Sequence, residues 1–454
     1  MRRAAGRRAA VAGCAALALG VSLALPSAGA ATGAATGTAT PGGHGDPARA
    51  VLPEGDGWGA ASGGVTGGSA ADRDHVFTVS DRAGLAAALA ADPGEPRIIR
   101  VRGTVDANTA PDGTPLTCED YATDGYTRDG YLAAYDPAVW GEETEPSGPL
   151  EDARLASAAR QAERVRLAVG SNTTLIGVGD DARLLGATLD VRAAENVIVR
   201  NLTFEDTFDC FPQWDPTDGD LGNWNSEYDS LVLHGSRRVW VDHNTFTDGR
   251  RPDAGAPEHF GRLFQQHDGQ LDIVRGTDLV TVSWNEFTEH DKTILLGNSD
   301  GASAEDRGRL RTTFHHNLFH NVNERAPRVR YGQVDVYNNH FAQDAGARYG
   351  YSWGIGVESA LVAEHNAFTL PRGPEGTPPD RVLHRWTAGT SVTENGNWVN
   401  GRPVDLLGAY LAANPDAPLG DDAGWTPRLR PRVDHPVAVP RLVDAWAGAG
   451  ELRR

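Results

Sequence analysis

Six short segments share one pattern: Val199-Arg-Asn-Leu-Thr-Phe204, Val241-Asp-His-Asn-Thr-Phe246, Val282-Ser-Trp-Asn-Glu-Phe287, Phe314-His-His-Asn-Leu-Phe319, Val336-Tyr-Asn-Asn-His-Phe341 and Val362-Ala-Glu-His-Asn-Ala-Phe368. In five of the six, Asn stands two residues before Phe. Asn is unfavourable inside strands, but it tolerates a left-handed backbone, and its amide can bond to an identical amide one layer away. Stacked coils would place these asparagines in a ladder and direct each Phe into the core. The repeat therefore predicts an all-β solenoid.

The spacing of the repeat predicts long loops on one flank of this solenoid. Successive key asparagines, Asn244, Asn285, Asn317, Asn339 and Asn366, are 41, 32, 22 and 27 residues apart. A β-propeller would need four strands in each period and a more uniform length, and the period-two apolar pattern excludes helical repeats. Long loops over a rigid strand array are where a functional site is expected.

The segments that flank the repeat predict caps for the solenoid. Residues 76–79 have the pattern of a strand, Ser80 can cap a helix that runs to residue 92, and residues 98–105 predict a second strand. The region from residue 371 onward is rich in Pro, Gly and Arg, with a short helical pattern over 404–413. We expect this region to wrap the end of the solenoid.

The N-terminus predicts export from the cell. Residues 1–30 combine four arginines, an apolar run and a small-residue cleavage site, which is typical of a secretory signal peptide. Residues 31–74 are dominated by small residues and predict a flexible leader, so the folded domain would span 75–454. Cys118 and Cys210 would then remain in an oxidising compartment, where a disulfide between them is possible.

The charge of the chain limits its partners. The formal net charge of −19 becomes −23 when the four arginines of residues 1–30 are removed, because that stretch contains no acidic residue. Such a surface argues against nucleic acid as a partner. Without the signal peptide we expect no membrane association, and a monomer is the default. Any site for an anionic ligand must be a local group of cations.

Three aspartates are candidate ligands of a hard cation. Asp268 and Asp272 flank a glycine four residues apart, and Asp229 stands just before the apolar run 231–233. Ca²⁺ binds several oxygen ligands in irregular geometry, so carboxylates from neighbouring coils can share one ion. Aspartates in turns are the simpler interpretation of the same spacing.

Cationic residues form the second candidate group. Lys292 stands just before an apolar segment and is the only lysine of the chain. Because lysine is otherwise absent, the interpretation of Lys292 as one of many solvated surface lysines is weakened. Arg325, Arg328 and Arg330 fall within six residues of an acidic protein. Arginine is well suited to bidentate carboxylate recognition, although such a triplet can also be a surface ion-pair cluster.

Four blocks, in order, resemble the signature of the pectate lyase family: Val239-Trp-Val-Asp-His243, His267-Asp-Gly-Gln-Leu-Asp272, His290-Asp-Lys-Thr-Ile-Leu-Leu-Gly297 and Arg325-Ala-Pro-Arg-Val-Arg330-Tyr-Gly332. The resemblance extends from about residue 76 to residue 368. It implies a right-handed parallel β-helix, with the N-terminal helix as a cap. It also implies calcium ligands at Asp229, Asp268 and Asp272, substrate-carboxylate binders at Lys292 and Arg330, and a catalytic base at Arg325.

The resemblance implies a secreted, calcium-dependent enzyme that cleaves polygalacturonate, the de-esterified form of pectin, by β-elimination to 4,5-unsaturated oligogalacturonides. Nearby cations would lower the pKa of Arg325 and favour its role as a base. Three alternatives are a pectin lyase, which has no need of clustered aspartates, a polygalacturonase with hydrolytic carboxylates, and a non-catalytic solenoid that binds polysaccharide.

Overall fold

The structure, a computed structural model, describes residues 45–373 and 376–452. Each complete coil of the solenoid contributes one strand to each of three parallel sheets, which we call A, B and C in the order in which the chain crosses them. The strands of sheet A are Val76–Val79, Arg97–Val101, Thr173–Gly177, Glu195–Arg200, Arg237–Asp242, Asp278–Ser283, Thr312–His315, Gln333–Tyr337, Ala360–Glu364 and Ser391–Asn395. This arrangement confirms the predicted parallel β-helix.

Sheets B and C complete each coil. The strands of sheet B are Thr104–Asp106, Arg183–Leu185, Thr203–Glu205, Thr245–Thr247, Glu286–Lys292, Leu318–Glu324, His340–Ala342, Ala367–Thr369, Trp398–Val399 and the antiparallel Arg402–Pro403. The strands of sheet C are Arg166–Ala168, Thr188–Arg192, Leu231–His234, Leu271–Val274, Leu295–Leu296, Arg328–Val329, Trp353–Ile355 and Leu383–Arg385. Two short antiparallel pairs lie outside the coils: Gln213–Asp215 with Asn223–Asn225, and Glu258–His259 with Arg262–Leu263.

The predicted asparagine ladder forms at the turn from sheet A to sheet B. Asn244 Nδ2 donates to Asn285 Oδ1 at 3.0 Å, and the same bond repeats from coil to coil as far as Asn397. The phenylalanines stack beside it, with ring centroids 4.6–5.1 Å apart from Phe204 to Phe368. The ladder satisfies buried amides while the aromatic stack fills the core.

Helices cover both ends of the coil stack. The helix Arg82–Ala90 buries Leu85 and Leu89 in the main core. Its N-cap is Asp81, whose side chain accepts from Gly84 N at 2.8 Å, so the prediction of Ser80 as the cap was wrong. The helix Leu406–Ala413 buries Leu406, Leu407 and Tyr410 in the same core, as the short helical pattern predicted.

A helical insertion between the sheet B strand Thr104–Asp106 and the sheet C strand Arg166–Ala168 was not predicted. It contains the helices Cys118–Tyr121, Arg128–Ala134, Pro137–Trp140 and Pro149–Val165. Its aromatic residues form a second apolar cluster that includes Trp214 and Trp224. Cys118 and Cys210 form a disulfide that ties the insertion to the coil stack. The remaining helices and 3-10 turns are Pro47–Arg49, Trp58–Gly63, Asp253–Gly255, Ser303–Asp306, Pro379–Arg381 and Val439–Trp446.

The first described residues run across the outer face of sheet A. Trp58 N donates to Thr313 Oγ1 at 3.1 Å, Gly59 N to Thr281 Oγ1 at 3.0 Å, and Val65 is fully buried. The structure therefore differs from the predicted flexible leader over residues 45–74. Small residues allow close approach of the main chain to sheet A, so contacts form without large side chains. The predicted signal peptide, residues 1–30, and the leader residues 31–44 lie outside the described residues.

The second predicted strand, over residues 98–105, is interrupted. The chain forms Arg97–Val101 in sheet A and Thr104–Asp106 in sheet B, with a corner at Gly103, whose φ is +60°. A left-handed residue at this corner is suited to glycine. Among the described residues, no helix has the length and apolar composition needed to cross a bilayer.

Candidate active site

The six predicted site residues lie between the end of a sheet B strand and the first residue after a sheet C strand, on successive coils. Asp229 and Asp268 each precede a strand of sheet C, and Asp272 lies within the strand Leu271–Val274. In the parallel pairing of these strands Asp272 stands beside Val232, which brings the two coils into register. Lys292 and Arg325 come at the end of consecutive sheet B strands. The stacking thus gathers residues that are distant in sequence.

Asp229, Asp268 and Asp272 form a group of carboxylates around Gly269. Gly269 N donates to Asp229 Oδ1 at 2.9 Å, and Leu295 N donates to Asp272 Oδ1 at 3.1 Å. A methyl group on Gly269 would lie 2.7 Å from Asp229 Oδ1 and closer still to Asp272 Oδ1. The two carboxylates therefore face one small space that the missing side chain leaves open.

The electrostatics of this group favour a bound cation. Burial raises the pKa of Asp272 to about 7, and the negative charge of Asp268 adds to the increase. Burial, together with the charges of Asp272 and Asp268, raises the pKa of Asp229 well above its ordinary value. An all-oxygen donor set whose members repel one another matches the preference of a hard divalent cation. These residues fit the predicted calcium ligands.

Lys292 lies beside the aspartates. It is buried, and its Nζ lies 3.8 Å from Asp268 Oδ1. Lys292 ends the strand Glu286–Lys292 and pairs in register with Glu324 of the next coil. The structure thus holds the single lysine of the chain at the edge of the carboxylate group.

Arg325 follows Glu324 in a left-handed conformation, with φ of +62°. Its main-chain oxygen accepts from Ile294 N at 2.7 Å, and its Nε donates to Glu324 Oε1 at 3.1 Å. Burial would lower the pKa of Arg325, but the charges of Glu324, Asp268 and Asp272 outweigh burial and raise the pKa. The expectation that calcium, together with Lys292 and Arg330, lowers this pKa stays a prediction.

Arg330 follows the strand Arg328–Val329 and is buried. Its Nε donates to Asp300 Oδ1 at 2.6 Å, and its Nη1 donates to the Gly297 carbonyl at 2.7 Å. These contacts fix the guanidinium against the loop 297–300 rather than against the three aspartates. The contacts of Arg330 do not join it to the carboxylate group, so its role as a binder of substrate carboxylates stays a prediction.

A buried network next to the aspartates was missed. His267 lies between Asp253 and Asp206, at 2.9 and 3.3 Å, and His290 lies 2.6 Å from Asp248 Oδ1. Burial alone would lower the pKa of His267. The opposing effects of Asp248, Asp206 and Asp253 are larger, so the pKa is raised to about 10. The signal in the sequence was adjacency, since His267 precedes Asp268 and His290 stands two residues before Lys292.

Part of this network has donor atoms that could hold a metal. One ligand atom each from Asp248, Asp253 and His267 lie within 4.8 Å of one another, and all three residues are buried. The same contacts are also explained by protons shared between imidazole rings and carboxylates.

Comparison with known proteins identifies the family. A pectate lyase family model matches residues 148–417. The chain is 41% identical over 406 residues to a pectate lyase of Bacillus subtilis (strain 168), which covers 88% of this chain and 93% of that protein. It is 36% identical to pectate lyase E of Dickeya dadantii, over 78% of this chain and 77% of that protein.

Solved structures agree with the sequence comparison. A pectate lyase bound to a hexasaccharide superposes with a TM-score of 0.85 at 40% identity, covering 90% of this chain and all of that one. A thermostable pectate lyase gives a TM-score of 0.86 at 42% identity, with the same coverage. The ordered motifs, the coil stack and these relatives together show that the chain belongs to the pectate lyase family.

Proposed function

We propose that this protein is a secreted pectate lyase that cleaves polygalacturonate by calcium-dependent β-elimination. The observation that carries the proposal is the juxtaposition of three carboxylates with Lys292 and Arg325 on adjacent coils. The solved relative bound to a hexasaccharide supports a polysaccharide substrate, and another relative, with 40% identity, is described with an anti β-elimination mechanism.

The reaction removes a proton from C5 of a uronate residue and expels the oxygen at C4. The electron pair of the C5–H bond becomes the C4–C5 double bond, and the departing oxygen gains a proton. The intermediate places extra negative charge next to the carboxylate, so the main requirement is preorganised positive charge. An unsaturated uronide forms at the new non-reducing end.

The cationic side chains have distinct roles in this proposal. Lys292 and Arg330 bind uronate carboxylates and counter the charge that develops on proton removal. Arg325 receives the C5 proton as the general base. A guanidinium holds its proton tightly, and the charges of Glu324, Asp268 and Asp272 raise the pKa of Arg325 further. The role of base therefore requires positive charge close to Arg325 that lowers this pKa.

Asp229, Asp268 and Asp272 would hold a calcium ion in this proposal. When bound, Ca²⁺ supplies positive charge that neutralises carboxylates and polarises the substrate. Neutralising Asp268 and Asp272 would also remove two of the charges that raise the pKa of Arg325. The aspartates thereby influence both the substrate and the base.

The remaining parts of the proposal concern location and assembly. The N-terminal pattern predicts secretion, and the disulfide between Cys118 and Cys210 is consistent with an oxidising compartment. We propose that the mature enzyme acts as a monomer outside the cell, on pectin from which methyl esters have been removed.

The proposal is tested by following the ultraviolet absorbance of unsaturated uronides during incubation with polygalacturonate. We expect the absorbance to grow with added calcium and to stop growing with a chelator. Methyl-esterified pectin serves as the comparison substrate, because a pectin lyase would prefer it and would not need calcium. Shortening of the polymer without the absorbance change would show hydrolysis, and binding without any product would show a non-catalytic solenoid.

A further inference from the structure

The side chain of Asp268 has little to hold it in place. Among the described residues, its carboxylate makes one ion-pair contact, at 3.8 Å to Lys292 Nζ, and about a third of the side chain is exposed. Asp229 and Asp272, in contrast, accept main-chain hydrogen bonds from Gly269 and Leu295. The position of the Asp268 carboxylate therefore depends on the backbone of residue 268.

The backbone of Asp268 is held by a buried histidine. His290 Nε2 lies 2.6 Å from the carbonyl oxygen of Asp268. A carbonyl oxygen can only accept a hydrogen bond, so His290 Nε2 is the donor. On the other side of the ring, Nδ1 lies 2.6 Å from Asp248 Oδ1. The ring is 5% exposed and is fixed at both ends.

The residue before Asp268, His267, is also a histidine held at both ring nitrogens. His267 is 4% exposed, and its Nδ1 and Nε2 face Asp253 Oδ1 at 2.9 Å and Asp206 Oδ1 at 3.3 Å. The same Nδ1 lies 3.7 Å from Asp248 Oδ2, so Asp248 joins the two rings. Asp268 is thus restrained through its own carbonyl and through its neighbour.

His290 also connects two parts of the site. It belongs to the strand Glu286–Lys292, which ends at Lys292 two residues later. Through Nε2 it reaches across to the turn that carries Asp268. One buried ring therefore sets the distance between a candidate calcium ligand and a candidate substrate-binding cation.

We propose that His290, supported by Asp248 and His267, is a positioning residue that preorganises Asp268 for calcium binding. The inference rests on the proposed function for the identity of the ion, and it concerns this chain's own residues. Loss of a partner that orients a metal ligand typically lowers metal affinity by about 10- to 100-fold. Both ring nitrogens of His290 are engaged by Asp248 and the Asp268 carbonyl, so its effect is expected on calcium affinity before it is expected on the chemical step.

The test measures calcium affinity without substrate. Calcium binding to the chelator-treated full-length mature protein is titrated by calorimetry for the wild type, His290→Ala and His290→Gln. We expect His290→Ala to raise the calcium Kd by about 10- to 100-fold, whereas His290→Gln, which keeps a donor near the position of Nε2, retains more of the affinity. If His290→Ala does not fold, His290→Leu, which fills the space of the ring but has no donor, decides: a calcium Kd raised by threefold or more supports the proposal, and a smaller change overturns it.

His340→Ala is a matched control. His340 is 4% exposed and is also bound at both nitrogens, by Asp444 at 2.6 Å and Thr369 at 2.9 Å, but in a different part of the fold. We expect this variant to lower the Tm without changing the calcium Kd. Equal calcium affinities for His290→Ala, His340→Ala and wild type would overturn the proposal.

Two further outcomes are distinguishable. A stoichiometric transition metal that remains after chelation and is lost in His267→Ala would overturn the proposal, because His267 and Asp248 would then be ligands rather than supports. A shifted calcium Kd in a protein that forms no unsaturated product would support the positioning role and refute only the proposed lyase activity.

Discussion

At the scale of single residues, Arg325 makes the sharpest prediction. A general base contributes about 10²- to 10⁴-fold to a rate, so we expect Arg325→Ala to lower kcat by that range while polygalacturonate still binds. Arg441→Ala, an exposed arginine of the helix Val439–Trp446, is the control and should keep full activity. Product absorbance and a separate binding assay measure the two effects. Activity of Arg325→Ala within twofold of wild type would show that another group takes the proton.

The raised pKa of Asp272 predicts how the free energy of unfolding of the calcium-free protein changes with pH. The ordinary pKa of Asp272 is 3.8 and its folded value is about 7, so between these values the folded protein holds a proton that the unfolded chain has released. The free energy of unfolding then falls as pH rises from about 4 to about 7. One pKa unit corresponds to about 1.4 kcal/mol, so we expect a loss of about 2–3 kcal/mol between pH 5 and pH 7.

The measurement is denaturant unfolding of chelator-treated protein across this pH range, compared with Asp272→Asn. The variant should lose less stability with rising pH, and calcium should restore the wild type most strongly above pH 7. Asp209, whose pKa burial also raises to about 7, is present in both proteins and so cancels in the comparison. The charge of Asp272 also helps to raise the pKa of Asp229, so the difference between the two profiles measures Asp229 and Asp272 together. Identical pH profiles for the two proteins would contradict the assignment to this pair.

Ordered motifs in the sequence predict the candidate site residues, but the sequence does not predict the electrostatic environment of their side chains. The sequence placed Glu324 beside Arg325, yet the approach of Asp268 and Asp272 to the guanidinium arises only when coils stack. For the same reason the contact between His290 and the Asp268 carbonyl had no signal beyond adjacency. Contacts between coils depend on the register in which the coils stack. The varying loop lengths prevent that register from being read from the sequence.

At the scale of elements, the asparagine ladder should contribute strongly to stability. Asn285 accepts from Asn244 and donates to Asn317 Oδ1 and the Val241 carbonyl, all at 3.0 Å. Asn285→Ala would leave several buried groups unpaired, at about 1–3 kcal/mol each, so we expect a loss of about 2–4 kcal/mol. Asn414→Ala, a residue outside the ladder at the end of the helix Leu406–Ala413, should cost less than half as much. Urea unfolding compares the two, and equal losses would show that the ladder has no special weight.

The repeating elements were predictable because one coil resembles the next. The ladder continues to Asn397, which the pattern missed because Val399 replaces the expected Phe. The helical insertion and the segment 45–74 were missed for a different reason. Neither repeats, and the segment 45–74 binds sheet A largely through main-chain groups, which composition does not reveal.

At the scale of the whole molecule, the disulfide lies within the second apolar cluster and joins two segments that are distant in sequence. Cys118 belongs to the helical insertion, and the bond closes a loop with a sequence separation of 92. Removing a native disulfide typically costs about 2–5 kcal/mol, so we expect Cys118→Ser to lower the Tm and to abolish the effect of a reductant. Scanning calorimetry with and without reductant measures this. A wild-type Tm that does not change on complete reduction would contradict the prediction.

The two end helices have a consequence for behaviour at high concentration. A coil stack resembles a fibre in which each layer offers its strand edges to another layer, and uncovered edges can recruit the same edges of a second molecule. The helices Arg82–Ala90 and Leu406–Ala413 bury apolar side chains at the first and last coils, and Val392 at the final strand of sheet A donates to the Gly420 carbonyl. The repeat is therefore terminated within one molecule, and we expect that the architecture sets its own length instead of propagating from chain to chain.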